Sequence, residues 1–76
     1  MTPYLNLNGD SNIVSYQASA TSIHVVFASG TWRNYLYDDT RPGLAIVNQM
    51  KALATQGHGL NSFISKSVRT NYAQKW

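Results

Sequence analysis

Eight residues, Gly30 to Tyr37 (Gly-Thr-Trp-Arg-Asn-Tyr-Leu-Tyr), hold three aromatic side chains and an arginine, the densest run of binding-capable groups in the chain. Read as a strand, the run alternates: Arg33, Tyr35 and Tyr37 share one face, and Trp32, Asn34 and Leu36 share the other. Aromatic rings on an open sheet face stack on flat ligands, and an arginine beside them adds cation–π and phosphate contacts. A second set follows at Gly57-His58-Gly59 and Asn61, with Lys66 and Arg69 behind. Glycines ahead of a helix let backbone amides reach an anion. Each set also has a plainer reading. The tyrosine pair can roof a core, which leaves Trp32 as the exposed aromatic, and Gly-His-Gly can simply connect two helices.

Other chemistry finds little support. The chain has no cysteine and no glutamate, and neither His24 nor His58 has a second ligand at a metal-binding spacing. No nucleophile elbow and no paired general acid and base occur. Cleavage of a phosphodiester through His58 with a lysine or arginine is the weaker alternative. The residues therefore point to a non-enzymatic binding protein with no metal and no cofactor.

Six Lys and Arg against three Asp give a net charge of +3, and the distribution sharpens it. Asp10, Asp38 and Asp39 all lie in the first 39 residues, whereas Arg41, Lys51, Lys66, Arg69 and Lys75 fall beyond them. A segment of one sign suits an anionic partner, although five charges also serve plain solubility. At 76 residues there is room for one domain with a small core, and oligomerisation is the expected remedy, a homo-oligomer above all. The absence of cysteine fits a reducing cytoplasm. No apolar run approaches the roughly 18 residues of a membrane span, and no basic-then-apolar leader opens the chain, so a soluble, non-secreted protein is expected.

The elements that must carry these groups are readable. Tyr4 to Leu7 reads as an edge strand before the turn signal Asn8-Gly9-Asp10. Ser11 to Gln17 is a strand, and Ser22 to Ala28 another, with Ile23, Val25 and Phe27 on one face. Ser29-Gly30 predicts a two-residue turn, and Thr31 to Tyr37 the return strand. Asp39 or Thr40 then reads as the cap of a helix over Pro42 to Gln56, striped by Leu44, Ile46, Val47, Met50, Leu53 and Ala54. Gly57 ends it in the left-handed conformation, and a second helix runs from about Asn61 to Arg69. The tail, Thr70 to Trp76, is ordered only if Tyr72 or Trp76 packs. The predicted fold is α+β: a three-stranded antiparallel meander, four-stranded with Tyr4 to Leu7, followed by two helices packed on one face.

In this order the pieces resemble the KTSC domain, a small module found at the C-terminus of some lysyl-tRNA synthetases and as stand-alone proteins of bacteria and phages. The resemblance spans about residues 11 to 72. It rests on Ser11-Asn12-Ile13 leading to Tyr16, Ile23-x-Val25-x-Phe27-x-x-Gly30, Tyr35-Leu36-Tyr37, Pro42, Gly57-x-Gly59-Leu60-Asn61, Phe63-Ile64 and Tyr72. Here Tyr-x-Tyr starts five residues after Gly30 where three is usual, which keeps its parity and puts Arg33 in the first tyrosine position. What the resemblance implies is the fold and, through the synthetase association, RNA.

The leading expectation is thus a binding module for RNA or a nucleotide-type anion, with Arg33, Tyr35 and Tyr37 stacking and His58, Asn61, Lys66 and Arg69 holding phosphate. The alternative is a phage-type inhibitor of a host protein, using Trp32 and Trp76 as interface anchors. A third reading is a dimer that traps a cyclic nucleotide between its subunits.

Overall fold

A computed structural model describes residues 2–5, 12–68 and 71–76. The fold is α+β, a five-stranded antiparallel sheet with two helices. Its elements are β1 (Thr2–Pro3), β2 (Ile13–Ala18), β3 (Ser22–Phe27), β4 (Asn34–Asp38), α1 (Leu44–Gln56), α2 (Leu60–Ser67) and β5 (Gln74–Lys75). The strands lie in sequence order, so the chain makes a meander, leaves it for the helices, and returns to the free edge of β4. Both helices bury their apolar side chains in the core that holds Ile23, Val25 and Tyr37.

Alternation in β3 does what its residue types require. Ile23 and Val25 are fully buried while His24 and Val26 turn to the other face. Across the ladder Ile23 pairs with Tyr37 and Val25 with Tyr35, so both tyrosines share the core face. From α1, Val47, Met50 and Ala54 descend onto it at helical spacing, and Leu60 and Ile64 of α2 close the side. Each fully buried aliphatic contributes about 1.5–3 kcal/mol.

Several predicted boundaries move, each for a local reason. The first edge strand is Thr2–Pro3, ahead of the predicted Tyr4 to Leu7; residues 6–7, the Asn8-Gly9-Asp10 turn and Ser11 lie outside the described residues. Tyr4 leaves the edge because its side chain is drawn into the core, where its hydroxyl accepts the Leu60 amide at 3.3 Å. β2 carries a bulge at Val14, since Ile13 faces Phe27 but Ser15 faces Val26.

The two-residue turn at Ser29-Gly30 is replaced by a six-residue loop, 28–33. The Ala28 amide donates back to the Asn12 carbonyl at 2.7 Å, and the Phe27 amide donates to the Arg33 carbonyl at 2.7 Å. Pairing with β4 therefore resumes below the loop, and Thr31 and Trp32 are freed from the sheet.

The predicted helix cap is also corrected. Neither Asp39 nor Thr40 caps α1; Gly43 occupies the N-cap with no side-chain hydrogen bond. The acid that acts is Asp38, whose Oδ1 accepts the amides of Thr40 at 3.0 Å and Arg41 at 2.9 Å, holding a turn that ends at the cis Arg41–Pro42 bond. At the other end Gly57 does terminate the helix, left-handed at φ 81°, with its amide on the Leu53 and Ala54 carbonyls.

Two of the C-terminal cations are committed to the fold. Lys51 reaches from α1 to the Ser19 and Ala20 carbonyls of the β2–β3 turn, and the Arg41 Nε donates to Asn71 Oδ1 at 3.3 Å. No helix among the described residues is long and apolar enough to cross a membrane.

Candidate ligand-binding cleft

The long 28–33 loop creates the site. By standing away from the sheet it leaves a cleft of about 320 Å³ between itself and α2. Phe27, Trp32, Tyr35 and Tyr37 supply its aromatic walls, Ile64 its apolar side, and Asn12, Ser29 and Ser65 its polar atoms. The rings brace one another. Tyr35 meets Phe27 and Tyr72 edge-on, at 5.3 and 5.2 Å between centroids, and lies parallel to Tyr37 at 6.4 Å. Edge-on and offset contacts of this kind favour a fixed geometry. Asn12 and Ser29 tie the rim together, the Ser29 hydroxyl donating to Asn12 Oδ1 at 3.2 Å.

Lys75, contributed by the edge strand, does not line the cleft but approaches its Trp32 wall from outside. Its ammonium lies 5.6 Å from the Trp32 ring centre and 5.3 Å from that of Tyr72, within cation–π range. A hydrogen bond to the Tyr72 hydroxyl holds the lysine above its ordinary pKa, so its charge is secure at neutral pH.

The predicted site residues divide. Trp32, Tyr35 and Tyr37 come together at the cleft, but not as an open platform. The helices cover the tyrosine face, Tyr37 is only 1% exposed, and its ring cannot be offered to a ligand. Tyr35 is half-buried as a wall, and the exposed aromatic is Trp32, at 47%. Arg33 is exposed at the end of the loop.

His58, before α2, and Asn61 and Lys66, on it, do not line the cleft. His58 is exposed in the inter-helix turn, Asn61 is half-buried in the first turn, and Lys66 is exposed in the last. The amide of Leu60 in the Gly-His-Gly-Leu segment is already taken by the Tyr4 hydroxyl. Arg69 lies outside the described residues.

Sequence reasoning missed Lys75 and Tyr72, because a two-residue strand gives no periodic signal.

A second aromatic pair sits on the opposite face of the sheet. Trp76 packs on His24 at 5.0 Å, tilted by 32°. His24 Nε2 is hydrogen-bonded to Asn34 Oδ1 at 3.0 Å, and Asn34 Nδ2 donates to the Trp76 carbonyl at 3.2 Å. Trp76 remains 50% exposed.

No family model matches the chain, and no curated protein or solved structure is detectably similar to it. Function is therefore read from the geometry: aromatic walls, one cation outside the Trp32 wall and a few neutral polar atoms. Such a cleft can hold a flat ring and a neighbouring negative charge.

Proposed function

We propose that the protein is a non-enzymatic binding module that takes the base of an RNA or nucleotide-type ligand into the aromatic cleft. The observation that carries this reading is the Lys75 ammonium poised over Trp32. A base entering beside Trp32 meets a ring to stack on, and its phosphate meets Lys75, with exposed Arg33 in the preceding loop as the second cation. The chain's acid-free second half supports the same partner by long-range attraction. Membership of the KTSC family, proposed on its sequence pattern alone, points the same way, and a cytoplasmic location would suit such a ligand.

Titration with octauridylate at several salt concentrations tests it. Trp32→Ala should weaken binding by about 1–3 kcal/mol, the worth of one base–aromatic stack. Lys75→Met should make the plot of log affinity against log salt shallower by about 0.7, the share of one neutralised phosphate on a single strand. An affinity indifferent to salt and to Trp32 would remove the proposal. Exposed Trp32 and Trp76 also suit anchors of a protein interface. Retention of a partner after nuclease treatment, with no octauridylate binding, would favour that inhibitor-type reading.

A further inference from the structure

We infer that the occupant of the cleft is a single strand of nucleic acid that continues over the edge of the sheet at β5 and stacks a second base on the His24/Trp76 pair. This rests on the reading of the cleft as a base-binding site and extends it from a nucleotide to a strand.

The placement of β5 carries the inference. It is the outermost strand beside β4, and its successive side chains serve opposite faces. Lys75 turns to Trp32 and Tyr72 on the cleft side, whereas Trp76 turns to His24 on the open side. Two aromatic centres thus flank one strand edge, with an exposed ammonium on the rim between them. Successive side chains of a strand point to opposite faces, so the two aromatic centres lie on opposite sides of the sheet. A single base cannot stack on both centres; linked nucleotides can.

The backbone at the rim is suited to a phosphate. β5 is held to β4 by the Trp76 amide on the Asn34 carbonyl at 2.9 Å, the reciprocal bond at 3.0 Å, and the Ala73 amide on the Leu36 carbonyl at 2.7 Å. In an antiparallel ladder the residue between such pairs points its amide the other way, so the Lys75 N–H faces the free edge. A strand crossing there meets both the amide and the ammonium of one residue.

Charge agrees. Residues 71–76 carry no Asp or Glu side chain, and among the described residues the acid that β4 places on the open face, Asp38, lies at the far end of the strand, roughly 13 Å from Asn34 at strand rise. Its carboxylate is turned to the Thr40 and Arg41 amides. Beyond the His24/Trp76 pair lies a further cleft of about 310 Å³, lined by Leu36, Gln74 and Arg41 but also by Asp38; its charge is mixed, and the inferred path extends only as far as the second base.

The chain has two tryptophans, one at each centre, so each can be read alone. Trp76→Phe leaves Trp32 as the reporter of the cleft, and Trp32→Phe leaves Trp76 as the reporter of the open face. UMP and uridylate oligomers of two, four and eight nucleotides are the probes. UMP should quench Trp32 and leave Trp76 unchanged. The octamer should quench both and bind at least tenfold more tightly than UMP, and Trp76→Ala should erase most of that gain without altering UMP affinity. A blunt duplex should not compete. If Trp32 responds while Trp76 ignores the octamer, or if monomer and octamer bind equally, the strand inference is wrong and the cleft reading stands. If Trp32 responds to none of the probes, the cleft reading fails and the strand with it.

Discussion

Replacing Tyr37 with alanine is expected to cost about 3–5 kcal/mol and bring the domain to the edge of unfolding. The residue is the largest fully buried side chain. It faces Ile23 across the ladder and lies parallel to Tyr35, so truncation opens a cavity at the centre of the core. A natural domain of this length holds only about 4–11 kcal/mol in total, so the loss is of the same order as the whole. Urea denaturation followed by circular dichroism measures it.

Tyr37→Phe keeps the ring and should stay within about 1 kcal/mol of the parent at neutral pH. The phenol nevertheless has a signature at high pH. Burial, reinforced by the neighbouring Tyr35 and Tyr72 hydroxyls, pushes Tyr37 far above the ordinary tyrosine range. An unfolded tyrosine ionises near pH 10, so above that pH the unfolded chain has released a proton that the folded chain still holds. Stability is intact below about pH 10 and falls as pH rises beyond it, by up to about 1.4 kcal/mol per unit. The difference between parent and Tyr37→Phe should be flat to pH 9 and then close in favour of the variant. Equal stability of Tyr37→Ala and its parent would show that the ring is not the core residue described here.

The same tyrosines show how far sequence reaches. Alternation places Tyr35 and Tyr37 on one face in either reading, because parity is a property of the strand. Which face the helices choose depends on where the apolar groups of β3 lie after pairing. Ile23 and Val25 meet Tyr37 and Tyr35, and that register is set by the length of the 28–33 loop, which Ser29-Gly30 alone does not reveal.

The α1 stripe is legible for the opposite reason: Val47, Met50 and Ala54 recur at a helical period within one segment. The start of α1 is not, because Asp38, Asp39 and Thr40 are all competent caps by type and only geometry assigns the turn to Asp38. Trp32 could be foreseen as the exposed aromatic. Lys75 beside the Trp32 wall could not, since it arrives from 42 residues beyond Arg33 on an edge strand only two residues long.

Gly57→Ala is the second large effect, and it decides what the Gly-His-Gly segment is for. Two separate costs fall on this position. The backbone sits at φ +81°, where a side chain is strained by about 1 kcal/mol, and an added Cβ would come within 2.7 Å of the Leu5 Cβ. That neighbour is the root of a side chain, so trimming it to alanine leaves the collision in place; only Leu5→Gly removes it.

The expected series is accordingly uneven. Gly57→Ala should lose about 2–4 kcal/mol, the clash adding a small-to-large packing penalty to the backbone strain. Adding Leu5→Ala should bring no relief, whereas Leu5→Gly should relieve the clash and leave the strain. Gly59→Ala provides the comparison. Its φ is +85°, but its Cβ would meet only the Leu53 Cδ2 at an ordinary 3.5 Å, so the strain of about 1 kcal/mol is all that it should show.

Denaturation midpoints of the four variants, alongside their affinity for octauridylate, separate packing from recognition. Loss of stability with binding unchanged in the folded fraction means that the glycines join two helices under the N-terminal segment. Full stability with weakened binding would mean that their amides hold an anion after all, and the Leu60 amide bonded to Tyr4 argues against that outcome.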